Sequence, residues 1–230
     1  MEKFSKKFEN IIQVASGDVR RLDSVVRFSS IPIVVQELVS THQYWVCLYS
    51  ALIHHEVRPN DTHLVGQLLT SAMTHDLIEG WTGDLVRPFK YSSENLRSTI
   101  EEAEKNIFKT IPKLLRELMT PDPKISKLDH AYIKVVIKSA DFLSLFQYMR
   151  REAMRGNLEI EPFYNRMIND IKNMIAIEPV SNFDAPCFYR HLYKASISVY
   201  QLCFDKAYES RTGFAFTKKK GPSVGWCKIP

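Results

Sequence analysis

Four polar side chains stand where the surrounding pattern calls for apolar ones. His42 lies in Ser40-Thr41-His42-Gln43-Tyr44-Trp45, inside a long apolar stretch. His75 and Asp76 close a segment carrying Leu64, Leu68, Leu69 and Ala72 at helical spacing. Asp141 lies in the middle of the most hydrophobic helical pattern of the chain. An ionised aspartate buried there without a partner would cost several kcal/mol. Two imidazoles and two carboxylates form a donor set suited to a divalent transition metal, which would remove that cost. The competing reading is a set of satisfied core or surface residues, since a His-Asp pair alone is unspecific. Glu79 follows Asp76 by three positions and shares its face if the helix runs on one more turn. Asp84 follows in a Thr-Gly-Asp loop, and Arg27, Arg87 and Lys90 flank these segments with cations able to hold a phosphate. On residue types alone both readings stay open.

The elements that must carry these residues are helical. Phe4, Phe8, Ile11 and Ile12 predict a first helix ending near Gly17. A mixed stretch over 18–33 ends at Ser29-Ser30-Ile31-Pro32. A long apolar helix is expected over 34–55, then a loop at Arg58-Pro59-Asn60-Asp61 with Asp61 as the N-cap of the next helix. Ser92 or Ser93 caps a helix over 94–119 disturbed at Pro112. A strong helix over 126–155 stops at Gly156, and two more fit 162–177 and 185–209. No internal repeat and no run of alternating strands interrupts this. The expected fold is all-α, one domain over 1–210 with extra C-terminal helices, followed by an irregular basic tail over 211–230.

Composition narrows the class. Of the 230 residues 45% are hydrophobic and 25% charged, which excludes a disordered chain. No apolar run approaches the ~18 residues of a membrane span. The start, MEKFSKKFENIIQV, lacks the apolar stretch of a secretory signal, so a soluble intracellular protein is expected. The net charge of +5 is mild and partly concentrated at Arg211 and Lys218–Lys220. A dedicated nucleic-acid binder concentrates more positive charge on one face, so nucleic acid is not the expected partner. The cysteines, Cys47, Cys187, Cys203 and Cys227, form no CxxC pair and read as reduced thiols. His54 and His55 point ~100° apart on a helix, cannot form an i,i+4 metal pair, and are expected at the surface. Tyr148, Tyr189, Tyr193 and Tyr200 are expected to pack the C-terminal helices.

The order His42, His75-Asp76, Asp141 resembles the H…HD…D signature of HD-domain metal-dependent phosphohydrolases. The run from His75-Asp76 through Glu79, Thr82-Gly83-Asp84, Arg87-Pro88 and Lys90-Tyr91 is similar to that of the bacterial 5'-deoxynucleotidases. Their phage deoxynucleoside-triphosphate triphosphohydrolase relatives share it. Arg27-Phe28 stands where that family has an Arg followed by an aromatic residue. The likeness covers roughly residues 20 to 150. It departs at Ser40-Thr41, where the family has a Glu before its first metal-binding His, at Val86, where it commonly has Pro, and at Phe28, where it usually has Trp.

The resemblance implies an HD-domain helical bundle and one divalent ion (Co, Mn, Zn or Mg) held by His42, His75, Asp76 and Asp141. It implies that Arg27 orients the phosphate, Phe28 packs against sugar or base, and Glu79 acts on water or the leaving group. Asp84 would bond the sugar hydroxyl, with Leu85, Val86 and Arg87 completing the wall and Lys90 adding charge. The implied reaction is release of the 5'-phosphate from a 2'-deoxynucleotide, with selection against ribonucleotides by a pocket closed around C2'. Two alternatives are a dNTP triphosphohydrolase and a non-catalytic nucleotide-binding HD regulator. The implied setting is a bacterial cytoplasm, or a host cytoplasm if phage-encoded, and the implied assembly is a homodimer or higher.

Overall fold

The architecture follows from apolar stripes at helical spacing that need one another for cover. The computed structural model describes residues 2–15, 18–85, 87–90, 92–180 and 182–212. Helix α1 (Glu2–Ala15) and a 3₁₀ segment (Asp18–Ser24) lead to α2 (Val39–Val57) and α3 (Val65–Thr74). Two short turns of helix follow, α4 (Glu79–Thr82) and α5 (Arg87–Lys90), then α6 (Glu94–Thr110) and α7 (Lys113–Met119). The long α8 (Lys127–Met154), α9 (Glu161–Met174) and α10 (Ala185–Tyr200) complete the body, and α11 (Lys206–Thr212) ends the described chain. No strand is present among the described residues; Val26 and Leu38 form an isolated bridge, as do Val180 and Phe183. No helix is long and apolar enough to cross a membrane among them.

The core is where α2, α3, α8, α9 and α10 meet. Val46, Leu68, Ala72, Val136, Ala140, Tyr164, Ile171 and Tyr189 are all fully buried there. A smaller cluster, Leu22, Val39, Leu77, Ile111 and Leu115, seats the 3₁₀ segment and Trp81 against the start of α2. The caps follow the residue types: the Ser93, Ser126 and Asp184 side chains accept from the backbone N–H of Leu96, Asp129 and Cys187. Gly156, at φ +81°, ends α8 in a conformation that favours glycine.

Several boundaries differ from the sequence expectation. Residues 34–38 are not helical, because they are pulled away to pair with the segment before them and with α8. Asp61 does not cap α3, which starts at Val65; its carboxylate pairs with Arg58 and accepts the Leu64 N–H at 3.4 Å. The expected 94–119 helix is two, since Pro112 cannot donate to the helical ladder and Ile111 turns extended. The last helix is interrupted by a π-helical stretch, Gln201–Asp205. His54 is buried rather than exposed: Tyr132 Oη at 2.9 Å and the Asp61 carbonyl at 2.8 Å satisfy its two ring nitrogens. His55 is exposed as expected. Tyr148 packs not the C-terminal helices but the segment ahead of α2, stacking on Phe28 and donating to the Val35 carbonyl. Gly17 and the Lys218–Lys220 run lie outside the described residues.

The end of α8 holds that segment in place. Glu152 is fully buried, and its carboxylate accepts from Val34 N and Val35 N, both at 2.8 Å, and from Asn157 Nδ2 at 2.6 Å. Asn157 also donates to the Pro32 carbonyl. Glu152→Ala leaves two backbone donors without a buried acceptor, and each such group costs ~1–3 kcal/mol. A loss of roughly 3 kcal/mol in urea unfolding is expected, and a loss below 1 kcal/mol would show that water replaces the carboxylate.

Candidate functional site

His42 is carried by α2 and is fully buried against α8, where its Nδ1 lies 3.0 Å from Ser144 Oγ. His75 ends α3, and its Nδ1 donates to the Ala72 carbonyl at 2.7 Å. That bond places the ring proton on Nδ1 and leaves the Nε2 lone pair free. Both Nε2 atoms are buried, and neither has a hydrogen-bond partner of proper geometry. Both are nonetheless close to carboxylates: His75 Nε2 is 3.1 Å and His42 Nε2 is 3.5 Å from Asp76 Oδ2, and His42 Nε2 is 3.4 Å from Asp141 Oδ1.

This arrangement fits a metal ion. Ligand atoms ~2.1 Å from a tetrahedral ion stand roughly 3.4 Å apart, which is the spacing observed. One donor atom each from His42, His75 and Asp76 can be chosen within 4.8 Å of one another. Asp141 lies outside that trio and touches it through His42. It is not the lone buried charge that its helix suggested: a quarter of its side chain is exposed, and Oδ2 is bound by Lys138 Nζ at 2.7 Å. Burial alone would raise the Asp76 carboxyl, but the His42 and His75 imidazoles hold it well below the usual carboxylate range. Burial likewise opposes ionisation of Asp141, and the Lys138 ammonium and His42 hold it well below. Burial would lower His75, but Asp76 and Asp141 outweigh it and push it up, so a proton and a cation compete for the same lone pair.

A cavity of about 390 Å³ opens beside this cluster, within the range of small-ligand sites. The turn at 75–78 and α4 bring Glu79 to its wall, with Glu79 N–H bonded to the Asp76 carbonyl. The helix does not simply run on, yet the two side chains meet the same cavity, as the spacing anticipated. Burial, then the Asp76 and Asp84 carboxylates, push Glu79 up to about 8 from an ordinary 4.5. Gly83, at φ +72°, turns the chain so that Asp84 follows α4 into the wall.

Arg27 and Phe28 reach the cavity from the segment before α2. Arg27 N–H bonds to the Glu37 carbonyl and Val39 N–H to the Val25 carbonyl, so Arg27 and Glu37 stand side by side. Their side chains then pair, Nη1 to Oε2 at 2.9 Å, with Glu37 almost wholly buried. Phe28 adopts φ +59°, which is strained for an aromatic residue. Three contacts hold it: its N–H donates to Asp84 Oδ2 at 3.1 Å, its ring stacks on Tyr148 at 4.8 Å, and the Arg27 guanidinium lies 4.9 Å from its centroid. Asp84 therefore braces the Phe28 backbone, and Phe28 forms a floor with Tyr148 rather than a free stacking platform.

Leu85 lines the cavity and Lys90 does so while paired to Glu104 at 2.7 Å. Val86 lies outside the described residues, and of the Arg87 side chain nothing is described. Sequence reasoning missed Glu37, Lys138 and the α9 face of Phe163, Arg166, Met167 and Asp170, all placed by folding. Only Glu37 left a trace, as a charged residue just ahead of an apolar helix. Glu37→Ala leaves Arg27 nearly buried and unpaired, which typically costs ~3–5 kcal/mol. A fall in Tm with a raised KM for the substrate is the expected result; an unchanged KM would show that Arg27 does not depend on Glu37.

A family model described as 5'-deoxynucleotidase YfbR-like matches residues 16–192. The chain belongs to the YfbR-like 5'-deoxynucleotidase family. It is thus an HD-type, metal-dependent phosphohydrolase of deoxynucleotides, and the expectation of an all-α HD fold holds. No curated protein matches it in sequence. Solved structures share the fold. The cyanophage S-2L HD phosphohydrolase DatZ, bound to dA and one catalytic Zn2+ ion, matches with TM-score 0.51 and 17% identity over 79% of this chain and 95% of its own. An HD-domain phosphohydrolase from Listeria innocua matches with TM-score 0.53 and 19% identity over 85% and 88%. A Pyrococcus horikoshii protein matches with TM-score 0.59 and 14% identity over 84% and 99%.

Proposed function

We propose that this member of the family hydrolyses the 5'-phosphate ester of 2'-deoxynucleoside monophosphates, releasing deoxynucleoside and inorganic phosphate. The observation that carries the reading is the pair of buried imidazole nitrogens, on His42 and His75, turned without hydrogen-bond partners toward the Asp76 carboxylate. His42, His75, Asp76 and Asp141 would hold one divalent ion. Such an ion lowers the pKa of bound water toward ~7 and offsets charge on a phosphoryl oxygen.

The chain's own residues do the rest. Arg27, held by Glu37, presents its planar fork to two phosphate oxygens. Burial beside Asp76 and Asp84 favours the protonated form of Glu79, which from the cavity wall would give its proton to the leaving 5'-oxygen. Asp84 bonds the 3'-hydroxyl with the oxygen that Phe28 leaves free, and Phe28 with the Thr82-Gly83-Asp84 turn closes the space at C2'. Leu85 completes this wall.

Release of inorganic phosphate from dAMP in the presence of Mn, Co, Zn or Mg, with AMP much slower, is the expected result. Turnover of AMP and dAMP at equal rates would remove the steric part of the reading. A second reading, release of triphosphate from a dNTP, is favoured by two further cations at the cavity wall, Lys90 and Lys138. Triphosphate as the product from dATP would decide for it. Cys47, Cys187 and Cys203 are free thiols, in keeping with action in the cytoplasm. The exposed Tyr44, Leu48 and Leu52 stripe of α2 is the surface on which a homodimer would form.

A further inference from the structure

The far wall of the cavity is built by α9, a helix to which no role has so far been given. Phe163, Arg166, Met167 and Asp170 recur at i, i+3, i+4 and i+7, so a single helix face reaches the cavity. Along α8 the lining residues are Lys138, Asp141, Leu145 and Met149, again one face. Met149 stands eight residues beyond Asp141, about 12 Å along the axis. The connection between α8 and α9 is short (155–160) and the two helices are in contact, so they run antiparallel. The first turns of α9 therefore lie beside Met149, at the end of the cavity away from His75, Asp76 and Asp141.

Chemistry divides the cavity the same way. Charged and metal-ligating groups crowd one end. At the other, Phe28, Leu145, Met149, Phe163 and Met167 make an apolar chamber. A deoxynucleotide whose phosphate sits at the cluster extends its base into this chamber. Arg166 is the cation at that end. Its guanidinium lies 5.4 Å from the Phe163 ring centroid and, among the described residues, has no carboxylate partner. Arg27, Lys90 and Lys138 are by contrast each tied to a carboxylate.

We infer that Arg166 is a specificity-determining residue that reads the base of the deoxynucleotide and favours guanine. The inference rests on the deoxynucleotide reading of the site. A guanidinium fork donates two parallel hydrogen bonds and matches the O6 and N7 acceptors of guanine. Adenine offers N7 beside an amino group, which faces the fork donor to donor. The Phe163 ring backs the guanidinium at 5.4 Å, and Arg166 is itself solvent-exposed, so its donors are open to a base that enters the cavity.

The test is steady-state kinetics of the metal-loaded full chain on dGMP and dAMP, for wild type, Arg166→Met and Arg166→Lys. A good bidentate pair is worth on the order of tenfold or more in discrimination. The wild type is expected to prefer dGMP in kcat/KM, and Arg166→Met to lower the dGMP:dAMP ratio by about tenfold or more, chiefly through KM. Arg166→Lys keeps the charge but not the fork and should fail to restore the ratio. A ratio unchanged in Arg166→Met, or restored in full in Arg166→Lys, overturns the inference; a kcat/KM that falls equally for both nucleotides in Arg166→Met would show a phosphate ligand. Failure of the wild type to turn over any deoxynucleotide would instead overturn the reading on which it rests.

Discussion

Asp76→Asn is expected to empty the metal site and to lower kcat/KM by about 10³-fold or more. Asp76 is the residue on which the other groups converge: His42 Nε2 and His75 Nε2 approach the same carboxylate oxygen, and Asp141 reaches the cluster only through His42. An amide has the same shape but no charge to offset a dication, and its NH₂ end would turn a donor toward it. The two imidazoles hold the Asp76 carboxyl well below its usual range, so the substitution also gives up some native-state stability at neutral pH, and folding is checked beside turnover. The check is metal content by elemental analysis beside turnover and far-UV circular dichroism. A folded variant that keeps one metal per chain and near-normal turnover would place the site elsewhere.

Glu79→Gln is expected to cost about 10²–10⁴ in kcat, the usual contribution of a positioned general acid or base. It should also remove the alkaline limb of the kcat profile, since in the wild type that limb follows loss of the Glu79 proton. Burial beside Asp76 and Asp84 pushes Glu79 up to about 8; a bound cation opposes that push, so the limb should fall at or below that pH. The same shift has a consequence for stability in chelator-treated protein. The folded value lies above the ordinary 4.5, so the folded state holds its proton more tightly than the unfolded one. The stabilisation is full below pH ~4.5 and is lost as pH rises through about 8, on the order of a few kcal/mol in all. Glu79→Gln, which does not titrate, should abolish that part of the slope in thermal melts between pH 5 and 9. A variant whose melts track the wild type across this range would show that Glu79 ionises freely.

The metal cluster and the α9 wall of the cavity rest on different parts of the chain. The His75-Asp76-Glu79 part of the cluster is local, set by a helix ending at His75, a turn, and Gly83, while His42 and Asp141 are brought to it by α2 and α8. The chamber depends on how α8 and α9 pack, which sequence change can alter without moving the cluster.

Much was legible in the primary structure because it is local. Helical periodicity, the Ser93 and Ser126 caps, the Gly156 stop and the Pro112 break each involve residues a few positions apart, and the fold bears them out within a turn or so. His42, His75, Asp76 and Asp141 stood out because a polar residue in an apolar stretch carries a cost that needs a reason, and Glu79 by its spacing of three from Asp76. What stayed hidden is long-range. The Glu152 clamp spans 118 positions to Val34, the Phe28–Asp84 bond spans 56, and His54 is satisfied by a tyrosine 78 positions away. No periodicity within one helix announces such partners. Asp141 looked like an isolated buried charge because the pattern shows which face of a helix is apolar, not what stands opposite it. Only the packed chain could supply the Lys138 bond, the His42 contact, the Arg27–Glu37 pair and the α9 wall. Side-chain types decide which chemistry is possible; the approach of distant helices decides which groups perform it.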